Sequence, residues 1–569
     1  MAKALITSAL PYINGTKHLG NLAGSLLPAD IHARYRRQIG DETLFICATD
    51  EHGTPAELAA AAAGLPVADY CRRQHDRQAE IYRRLNRSFD HFGRTSSARN
   101  HARTWHFFHA LDARGFIAER ELDQVYSPAD GRFLPDRYII GTCPHCGSAE
   151  ARGDQCESCT RQLDPTELVA PRSALSGSTA LEVRPSRHLF LRQSALADTL
   201  AAWLGTRRDW PPLASSIARK WLDEGLQDRC ITRDLAWGVP VPKPGFEDKV
   251  FYVWFDAPIG YIAATEDWAA EAPHLRDWRD WWHSADDVDY VQFLGKDNVP
   301  FHAVSFPATE LGSGEPWKTV DVIKAVNWLT YEGGKFSTSR GRGVFLDAAL
   351  DLLGADYWRW WLVANAPENH DTDFSFARFA VDVNNDLADT FGNLVHRVLS
   401  FVAARFGDAV PAGGAPGERE ARLARTLDGH LAALRAAQDG RALRKAASEI
   451  RAIWRLANAY LAEAAPWTAI RTDGEAAAVA TRVAVNLVAL AAAVAWPVIP
   501  GTAETVLAAL GLTAVPPPLP RTAAEALDLI SAGARVTPPP ILFARLDEDW
   551  AAASRTRFAG RTAHAAGEA

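Results

Sequence analysis

The sequence lacks the marks of a secreted or membrane-bound protein. No charged segment, long apolar run and cleavage site follow one another near the N-terminus, so we expect no signal peptide. The longest apolar run, 483–500, is interrupted by Asn486 and two prolines and lies among helical patterns, which is typical of a buried helix. These absences predict a soluble, cytoplasmic protein without membrane association.

Strong positive charge is also absent. The 61 basic and 69 acidic residues give a net charge of −8, which excludes a surface coated in positive charge for indiscriminate nucleic-acid binding. A local basic surface is compatible with this balance, because phosphate contacts depend on the local field. A composition of 47% apolar and 23% charged residues excludes a disordered chain. At about 150 residues per domain, the chain should contain three or four units.

Cysteine is scarce, and four of the seven cysteines lie in one short segment. The odd number and the clustering favour metal binding in a reducing compartment over a disulfide framework. The four form two CxxC pairs that can fold over one tetrahedral zinc ion: Cys143, Cys146, Cys156 and Cys159. Four thiolates leave no open coordination position, so we predict one structural zinc. The alternatives are four unrelated buried cysteines, which the spacing disfavours, and a redox CxxC, which leaves the second pair unexplained.

A Walker A loop, GxxxxGK[ST], is absent, so another mode of nucleotide binding is needed if the protein uses ATP. Two segments could bind phosphate. His18 to Asn21 lies where a predicted strand turns into a predicted helix, so donors there can reach phosphate oxygens, and Gly20 permits a close approach of the ligand. Lys335 to Ser339 is a basic, hydroxyl-rich loop after two glycines, which is typical of a mobile phosphate clamp. Taken alone, the first segment is better interpreted as a surface turn, and the second could equally be a flexible exposed loop.

Strand and helix patterns alternate along the first part of the chain. Residues 3–9 and 43–48 are predicted strands on either side of a helical stretch at about 20–38, which indicates a parallel α/β sheet. Ligands bind such sheets at the carboxyl ends of the strands, where His18 lies. Further strands are predicted at 249–256, 288–294 and 320–326. From about 381 onward, Ala-, Leu- and Arg-rich helical patterns predict an antiparallel bundle.

We therefore predict an α/β protein with a Rossmann-like parallel-sheet catalytic domain, a zinc-binding insertion and an α-helical bundle. In chain order the units are the first half of the catalytic domain (1–115), the insertion with the zinc knuckle (116–228), the second half of the catalytic domain (229–326), a region with the Lys335 loop (327–380), the helical domain (381–546) and a flexible tail (547–569).

Taken in order, these segments resemble the class I aminoacyl-tRNA synthetases, and within that class the methionyl-tRNA synthetases. The segment HLGN at 18–21 stands at the place of the family's HIGH signature, and KFSTS at 335–339 stands at that of its KMSKS loop. Further matching segments run through nearly the whole chain: residues 9–12, 47–53, 165–168, 231–234, 252–261, 295–302, 393–397 and 465–467. Such an ordered series is more specific than any one of its members.

The resemblance implies a ligase that activates L-methionine with ATP and Mg²⁺ to methionyl-adenylate and pyrophosphate, then transfers methionine to initiator and elongator tRNA(Met). It implies a methionine pocket of Leu10, Tyr12, Asp50, Trp254, Ala257, Pro258, Tyr261 and His302. It implies an ATP site of His18, Gly20, Asn21, Arg233, Lys296, Asp297, Lys335 and Thr338. The implied catalytic residues are His18, Asn21, Lys335 and Thr338. In the helical domain, the implied anticodon contacts are Asn393, Arg397 and Trp467.

Three features depart from the family pattern. Thr338 replaces the second lysine of the KMSKS loop, and we hypothesise that Arg340 or Arg342 takes over part of its charge. The segment 172–179, where some members carry a second zinc knuckle, contains no cysteine, so we expect one zinc. The appended domain that dimerises some members is missing after the bundle, so we expect a monomer.

Three other interpretations share some of these features. A specialised or inhibitor-tolerant paralogue would carry the same motifs, and Thr338 is compatible with it. A catalytically weakened, tRNA-binding relative should have lost His18, Asp50 or Lys335, and all three are present. A zinc-containing nucleotidyltransferase without tRNA does not account for the helical bundle.

Overall fold

Five parallel strands form the central sheet of the computed structural model, which describes residues 2–153, 156, 159, 161, 163–338 and 341–560. In sheet order the strands are Val322–Val326, Val288–Gly295, Lys3–Ser8, Glu42–Thr49 and His91–Arg94. The predicted parallel sheet is confirmed, and four of its strands correspond to predicted ones. The central strand, Lys3–Ser8, is apolar on both faces because neither face meets water.

Helices cover the two faces of this sheet. On one face Leu5 packs with residues of the helices Ala98–Ala113 and Val253–Ala270, and on the other Ile6 packs with the helix Leu27–Gln38. The other α-helices in this part of the chain are Leu19–Asn21, Thr54–Ala62, Val67–Arg84, Ala197–Thr206, Pro212–Asp223, Arg279–Trp282, Phe306–Ser313, Leu346–Leu352, Ala355–Ala364 and Phe376–Val383.

The predicted strand at 249–256 is wrong beyond Phe251. A two-residue strand, Val250–Phe251, pairs with Thr232–Arg233, and the helix Val253–Ala270 begins soon after it. Most of this helix is buried, so it is apolar on nearly all sides and shows little helical periodicity. A short run of buried aromatic residues does not distinguish a strand from the first turns of such a helix.

The insertion is built from antiparallel strands. Ile117–Ser127 and Glu182–Leu191 pair along nearly their whole length, and Arg132–Phe133 and Arg229–Cys230 extend this sheet at its edges. A second sheet contains Ala151–Arg152, Ile139–Thr142 and Val169–Ser173. Its small core includes two cysteines of the predicted zinc cluster, Cys143 and Cys156. A unit with so few apolar residues is one that a bound metal can stabilise.

Three π-helical segments also occur: Leu22–Leu26, Phe301–Ser305 and Asn384–Gly392. The first directly follows Asn21, the second contains His302, and the third directly precedes Asn393. Segments of this kind are rare and are frequently found at functional sites. Each one here adjoins a residue for which the sequence predicted a ligand.

The C-terminal part of the chain is helical. Its α-helices are Asn393–Phe406, Glu418–Asp439, Leu443–Ala464, Pro466–Ala469, Gly474–Ala495, Pro500–Ala509, Ala523–Ala526 and Glu548–Arg557. Gly474–Ala495 is long and apolar enough to cross a membrane, but 89% of its most apolar stretch is buried inside the fold. The prediction of a buried bundle helix in this segment is confirmed.

The predicted flexibility of the tail from residue 547 is wrong for its first part. The helix Glu548–Arg557 packs Trp550 against Phe376, and Phe558 stacks on the same ring with the centroids 5.7 Å apart. Two aromatic anchors hold this helix in place although most of the segment is small or polar. Residues 561–569 lie outside the described part of the chain.

The helical domain is joined to the catalytic sheet through the buried side chain of Arg359. Its guanidinium donates to Asp30 Oδ2 at 2.7 Å and to the carbonyl oxygens of Val498 and Pro497 at 2.7 and 2.9 Å. Asp30 has three guanidinium partners: Arg34, Arg87 and Arg359. Burial alone would raise the pKa of Asp30, but these cations lower it well below its ordinary value.

We expect Asp30→Asn to destabilise the protein by about 3 to 5 kcal/mol, because it leaves buried guanidinium groups without an anion. The contribution of Asp30 is fully present above its unfolded pKa of about 3.9 and is lost as the pH falls toward the lower folded pKa. The measurements are Tm and the urea midpoint at neutral pH. The control Glu80→Gln, in the exposed pair of Glu80 and Arg83, should change neither. An unchanged Tm for Asp30→Asn would contradict the role of this cluster.

Candidate active site

The two predicted phosphate-binding segments lie side by side. The ring of His18 stacks on the ring of Phe336, with centroids 4.4 Å apart and planes 9° apart. The backbone N–H of Leu19 donates to the carbonyl oxygen of Val344 at 3.0 Å, which ties the first segment to the chain that follows the loop. Two segments that are far apart in the sequence therefore form one site.

Glycine is required at two positions around this stack. A Cβ on Gly20 would lie 3.0 Å from two atoms of the His18 ring and 3.3 Å from the Phe336 ring. Gly343 has a φ of 116°, and a Cβ there would overlap the Phe336 ring. The close approach of the two rings therefore depends on residues without side chains.

His18 precedes the helix Leu19–Asn21, and its ring is neutral. Its backbone N–H donates to Asn21 Oδ1 at 3.1 Å, and the side chain of Asn21 is exposed. Burial, with a smaller contribution from Lys17, lowers the pKa of His18 to about 3. Its Nδ1 is buried and has no hydrogen-bond partner among the residues that the structure describes. The ring can therefore hydrogen-bond a ligand without carrying charge.

The predicted methionine pocket is built largely on one face of the helix Val253–Ala270. Four of its residues follow one another at helical spacing: Trp254, Ala257, Pro258 and Tyr261. Trp254 stacks on Phe301 with the ring centroids 3.8 Å apart. Leu10, which follows the central strand, faces this helix at Gly260. The structure thus brings Leu10 together with the predicted pocket residues of this helix, and Phe301 is an additional contact that was not predicted.

A hydrogen-bonded pair, Tyr261 and His302, supplies the polar part of this pocket. His302 Nδ1 lies 3.0 Å from the carbonyl oxygen of Asn298, which can only accept, so Nδ1 carries the proton. Nε2 therefore accepts from the Tyr261 hydroxyl at 3.0 Å. Burial lowers the pKa of His302 to about 4, so the pair is uncharged at neutral pH.

Asp50 follows the strand Glu42–Thr49 and offers a buried carboxylate. Its backbone pairs with the segment that carries Tyr12, and its side chain is 4% exposed. Burial raises the pKa of Asp50 well above its ordinary value, and Asp256 and Glu51 raise it further, whereas Lys17 lowers it. Its Oδ1 has no hydrogen-bond partner among the described residues. An ammonium group from a ligand would supply one.

A cavity of about 210 Å³ opens beside Tyr12 and Trp254, and the zinc-binding insertion supplies part of its wall. Arg233 lines it, with the guanidinium carbon 3.8 Å from the centroid of the Tyr252 ring. Arg233 Nε donates at 3.2 Å to Asp136, which belongs to the insertion. The sequence predicted only a structural role for this unit, because no motif marks Asp136.

The remaining predicted ATP residues gather around Trp328, which sequence reasoning missed. Lys296 Nζ lies 4.4 Å and Lys335 Nζ 5.8 Å from the centroid of its ring. The indole N–H donates to Asp297 Oδ1 at 3.5 Å, and Lys296 also pairs with Asp371 at 2.9 Å. Trp328 is 40% exposed, which is unusual for so large an apolar side chain. Its place just before a basic loop was the available signal.

The loop residue Thr338 is exposed. Of the two arginines hypothesised to supply a positive charge in its place, Arg342 lies among the described residues. The Arg342 guanidinium donates to the carbonyl oxygens of Tyr331 at 2.8 Å, Glu332 at 3.3 Å and Lys335 at 3.3 Å. It therefore shapes the loop backbone. Ser339 and Arg340 lie outside the described residues, so the hypothesis for Arg340 stays a prediction.

The four clustered cysteines meet as a zinc site requires. Their sulfur atoms all lie within 4.8 Å of one another, with Cys143 and Cys159 at 3.8 Å and Cys146 and Cys156 at 3.6 Å. Four sulfurs at about 2.3 Å from a tetrahedral zinc lie about 3.8 Å apart, so the donor set fits this metal. Within the described part of the chain, no other group of this kind occurs. His145 is exposed, as predicted.

The predicted anticodon residues also lie together. The guanidinium carbon of Arg397 is 4.6 Å from the centroid of the Trp467 ring. Asn393 is exposed one helical turn before Arg397. Trp467 projects from a turn at Ala465, whose φ of 38° is left-handed. A cation against an aromatic face is a suitable platform for an unpaired base.

We expect purified protein to contain one zinc per chain, because the described residues offer one four-thiolate group. Cys146→Ser should lower the zinc content and the stability of the insertion, since three thiolates hold the metal less well. Cys71→Ala is the matched control, because Cys71 is buried away from the cluster. The measurement is metal content by elemental analysis. Two zinc ions per chain, or full zinc in Cys146→Ser, would contradict this prediction.

Comparison with known proteins agrees with this geometry. The family model for tRNA synthetases class I (M) matches residues 4–399, and that for the anticodon binding domain of methionyl tRNA ligase matches residues 410–563. Methionine–tRNA ligases from Cereibacter sphaeroides (strain ATCC 17029 / ATH 2.4.9) and Caulobacter vibrioides (strain NA1000 / CB15N) are each 57% identical, over 98% of this chain and 100% of their own length.

A solved structure is similar over the same extent. Mycobacterium tuberculosis methionyl-tRNA synthetase in complex with methionyl-adenylate superposes with a TM-score of 0.76 at 29% identity, covering 96% of this chain and 100% of that one. The chain belongs to the methionyl-tRNA synthetase family of class I tRNA synthetases.

Proposed function

We propose that this chain joins L-methionine to tRNA in two steps at one site. Methionine and ATP first give methionyl-adenylate and pyrophosphate, and the methionyl group then passes to the 3′ end of tRNA(Met), both initiator and elongator. The observation that carries this proposal is the buried Asp50 carboxyl group, whose Oδ1 has no hydrogen-bond partner among the described residues. Its backbone pairs with Tyr12 in the cavity wall, and its charge acts on Lys17, which directly precedes the stacked residue His18.

Methionine is selected by shape and by one uncharged polar pair. A flexible thioether has almost no hydrogen-bonding capacity, so aromatic walls such as Trp254 have to recognise it. The neutral pair of Tyr261 and His302 lets sulfur approach without meeting a charge. Asp50 receives the ammonium group. A pocket of this kind discriminates poorly against near-isosteres, so homocysteine is the expected competitor.

ATP is held on the other side of Asp50. His18, Gly20 and Asn21 bind the nucleotide at the helix start, and Lys296, Asp297, Lys335 and Thr338 close over it. The carboxylate of methionine attacks the α-phosphorus while the bond to pyrophosphate breaks, and the electron pair of that bond leaves with pyrophosphate. The protein positions the reactants and stabilises the charge that develops on phosphate oxygens. Mg²⁺ would neutralise part of the triphosphate charge.

The tRNA is bound at two places. Its terminal adenosine hydroxyl attacks the adenylate at the catalytic site, and AMP leaves. In the helical domain, Trp467 stacks on an unpaired anticodon base while Arg397 and Asn393 hydrogen-bond the same loop. The pairing of Arg397 with Trp467 supports this placement.

We propose that the enzyme works as a cytoplasmic monomer. We also propose the division into catalytic halves (1–115 and 229–326), insertion (116–228), stem-contact region (327–380) and anticodon-binding domain. The last unit extends past 546 to include the helix Glu548–Arg557, which packs on Phe376.

Exchange of ATP with pyrophosphate, measured with each of the twenty amino acids, tests the activation step. We expect exchange with methionine and none with the others, followed by charging of purified tRNA(Met). Faster exchange with another amino acid than with methionine would refute the proposed specificity for methionine. No exchange with any amino acid would refute the proposed activity. A specialised paralogue would pass this test but would not restore growth to cells that lack their housekeeping enzyme.

We expect Asp50→Asn to raise the KM for methionine by about 10- to 100-fold, since a charge-assisted contact to ammonium contributes about 1.5 to 3 kcal/mol. The KM for ATP should change little, and it is the internal control. An unchanged KM for methionine would show that the ammonium group of methionine does not bind Asp50.

We expect Trp467→Ala to weaken tRNA binding by about 1 to 3 kcal/mol, because one base loses its stacking partner. Charging should need correspondingly more tRNA, whereas exchange in the absence of tRNA should not change. A parallel loss in exchange would show that the substitution damages the fold and would contradict a purely recognitive role.

A further inference from the structure

Lys17 is a buried lysine next to His18, and neither the motifs nor the predicted functions assign it a role. It directly precedes His18 and is 7% exposed. Its Nζ donates to Asn14 Oδ1 at 3.0 Å, and its carbonyl oxygen accepts from the backbone N–H of Leu346 at 2.8 Å. The side chain is therefore held in the turn before His18, and the backbone of this turn is bound to the chain that follows the Lys335 loop.

The charge of Lys17 is not balanced by a salt bridge to any described residue. Two other cations of the site have such a partner: Arg233 pairs with Asp136 and Lys296 with Asp371. Burial lowers the pKa of Lys17 to about 8, and Asp50 opposes this shift only in part. Keeping an ammonium group buried with so little compensation is costly, so its natural partner is an anion that arrives with a ligand.

The surroundings of Lys17 indicate which anions these are. Lys17 directly precedes His18, a proposed ATP contact, and its Nζ donates to Asn14, which lines the cavity together with Tyr12 and Trp254. Thr338 covers the same turn, with its methyl carbon 3.9 Å from the position of a Cβ on Gly15. Lys17 therefore lies between the residues proposed to bind methionine and those proposed to bind ATP, the two substrates whose carboxylate and α-phosphate must meet.

We propose that Lys17 is a catalytic residue for adenylate formation, whose Nζ binds the methionine carboxylate and an α-phosphate oxygen together. This inference rests on the proposed function. Two anions that must reach bonding distance repel each other, and a fixed ammonium between them lowers this repulsion at no cost in reorganisation. The new bond forms from carboxylate oxygen to phosphorus, the bond to pyrophosphate breaks, and Lys17 keeps its protons throughout.

This role also accounts for a neutral residue at position 338. Lys17, in the turn that precedes His18, supplies the positive charge that Thr338 does not. Arg342 does not supply it in the described structure, since its guanidinium is bound to three loop carbonyl oxygens. The described part of the loop then contributes its shape and the cation of Lys335.

The test compares Lys17→Gln with the wild type in single-turnover formation of methionyl-adenylate. Glutamine can still donate to Asn14, so the turn is retained while the charge is removed. We expect the rate of adenylate formation to fall by about 100-fold. Lys17→Met should give a similar loss, and Lys220→Met, in an exposed pair with Glu224, is the control that should match the wild type.

Binding of methioninol separates a catalytic from a structural role. This alcohol keeps the ammonium group of methionine but lacks the carboxylate, so its Kd should change by less than about threefold in Lys17→Gln. The proposal is overturned if adenylate formation in Lys17→Gln stays within about threefold of the wild type, or if methioninol binding weakens as much as the rate. Absence of adenylate formation by the wild-type protein would instead refute the proposed function.

Discussion

The buried contact of Arg359 with Asp30 is the interaction on which the arrangement of the whole chain depends. One guanidinium satisfies a carboxylate beneath the catalytic sheet and two carbonyl oxygens at the end of the bundle, and it has no exposed surface. If the two parts separate, Arg359 loses hydrogen bonds on one side or the other, to Asp30 or to the two carbonyl oxygens. The active site and the anticodon contacts are therefore held in one fixed relation.

Within the catalytic part, tight contacts and neutral groups define the site more than salt bridges do. The stack of His18 on Phe336 needs glycine at 20 and 343, and both His18 and His302 are kept uncharged by burial. Neither Asp50 nor Lys17 has a salt-bridge partner among the described residues, so both can respond to a charged group of the substrate. Each is buried, so each interacts strongly with a group that replaces water.

Features that depend on local sequence patterns were predicted correctly, and features that depend on tertiary packing were not. The strands around Ile6 and the cysteine pairs are local signals, because burial on both faces and ligand spacing are written into short segments. The helix that starts at Val253 was mistaken for a strand because it is buried on nearly all sides. Trp328, Asp136 and Lys17 were missed since their significance lies in neighbours from distant parts of the chain. The π-helical segments leave no periodic signal at all.

The helix Glu548–Arg557 has a consequence for the dynamics of the catalytic loop. The backbone N–H of Gly343 donates to the carbonyl oxygen of Phe558 at 3.2 Å, and Arg555 pairs with Glu332 at 3.5 Å. Both ends of the loop are thus tethered to the last described helix. Fraying of that helix releases the loop before the sheet unfolds, because helices near a terminus open at the lowest free energy. Mild heating would then loosen the phosphate clamp while the rest of the site stays folded.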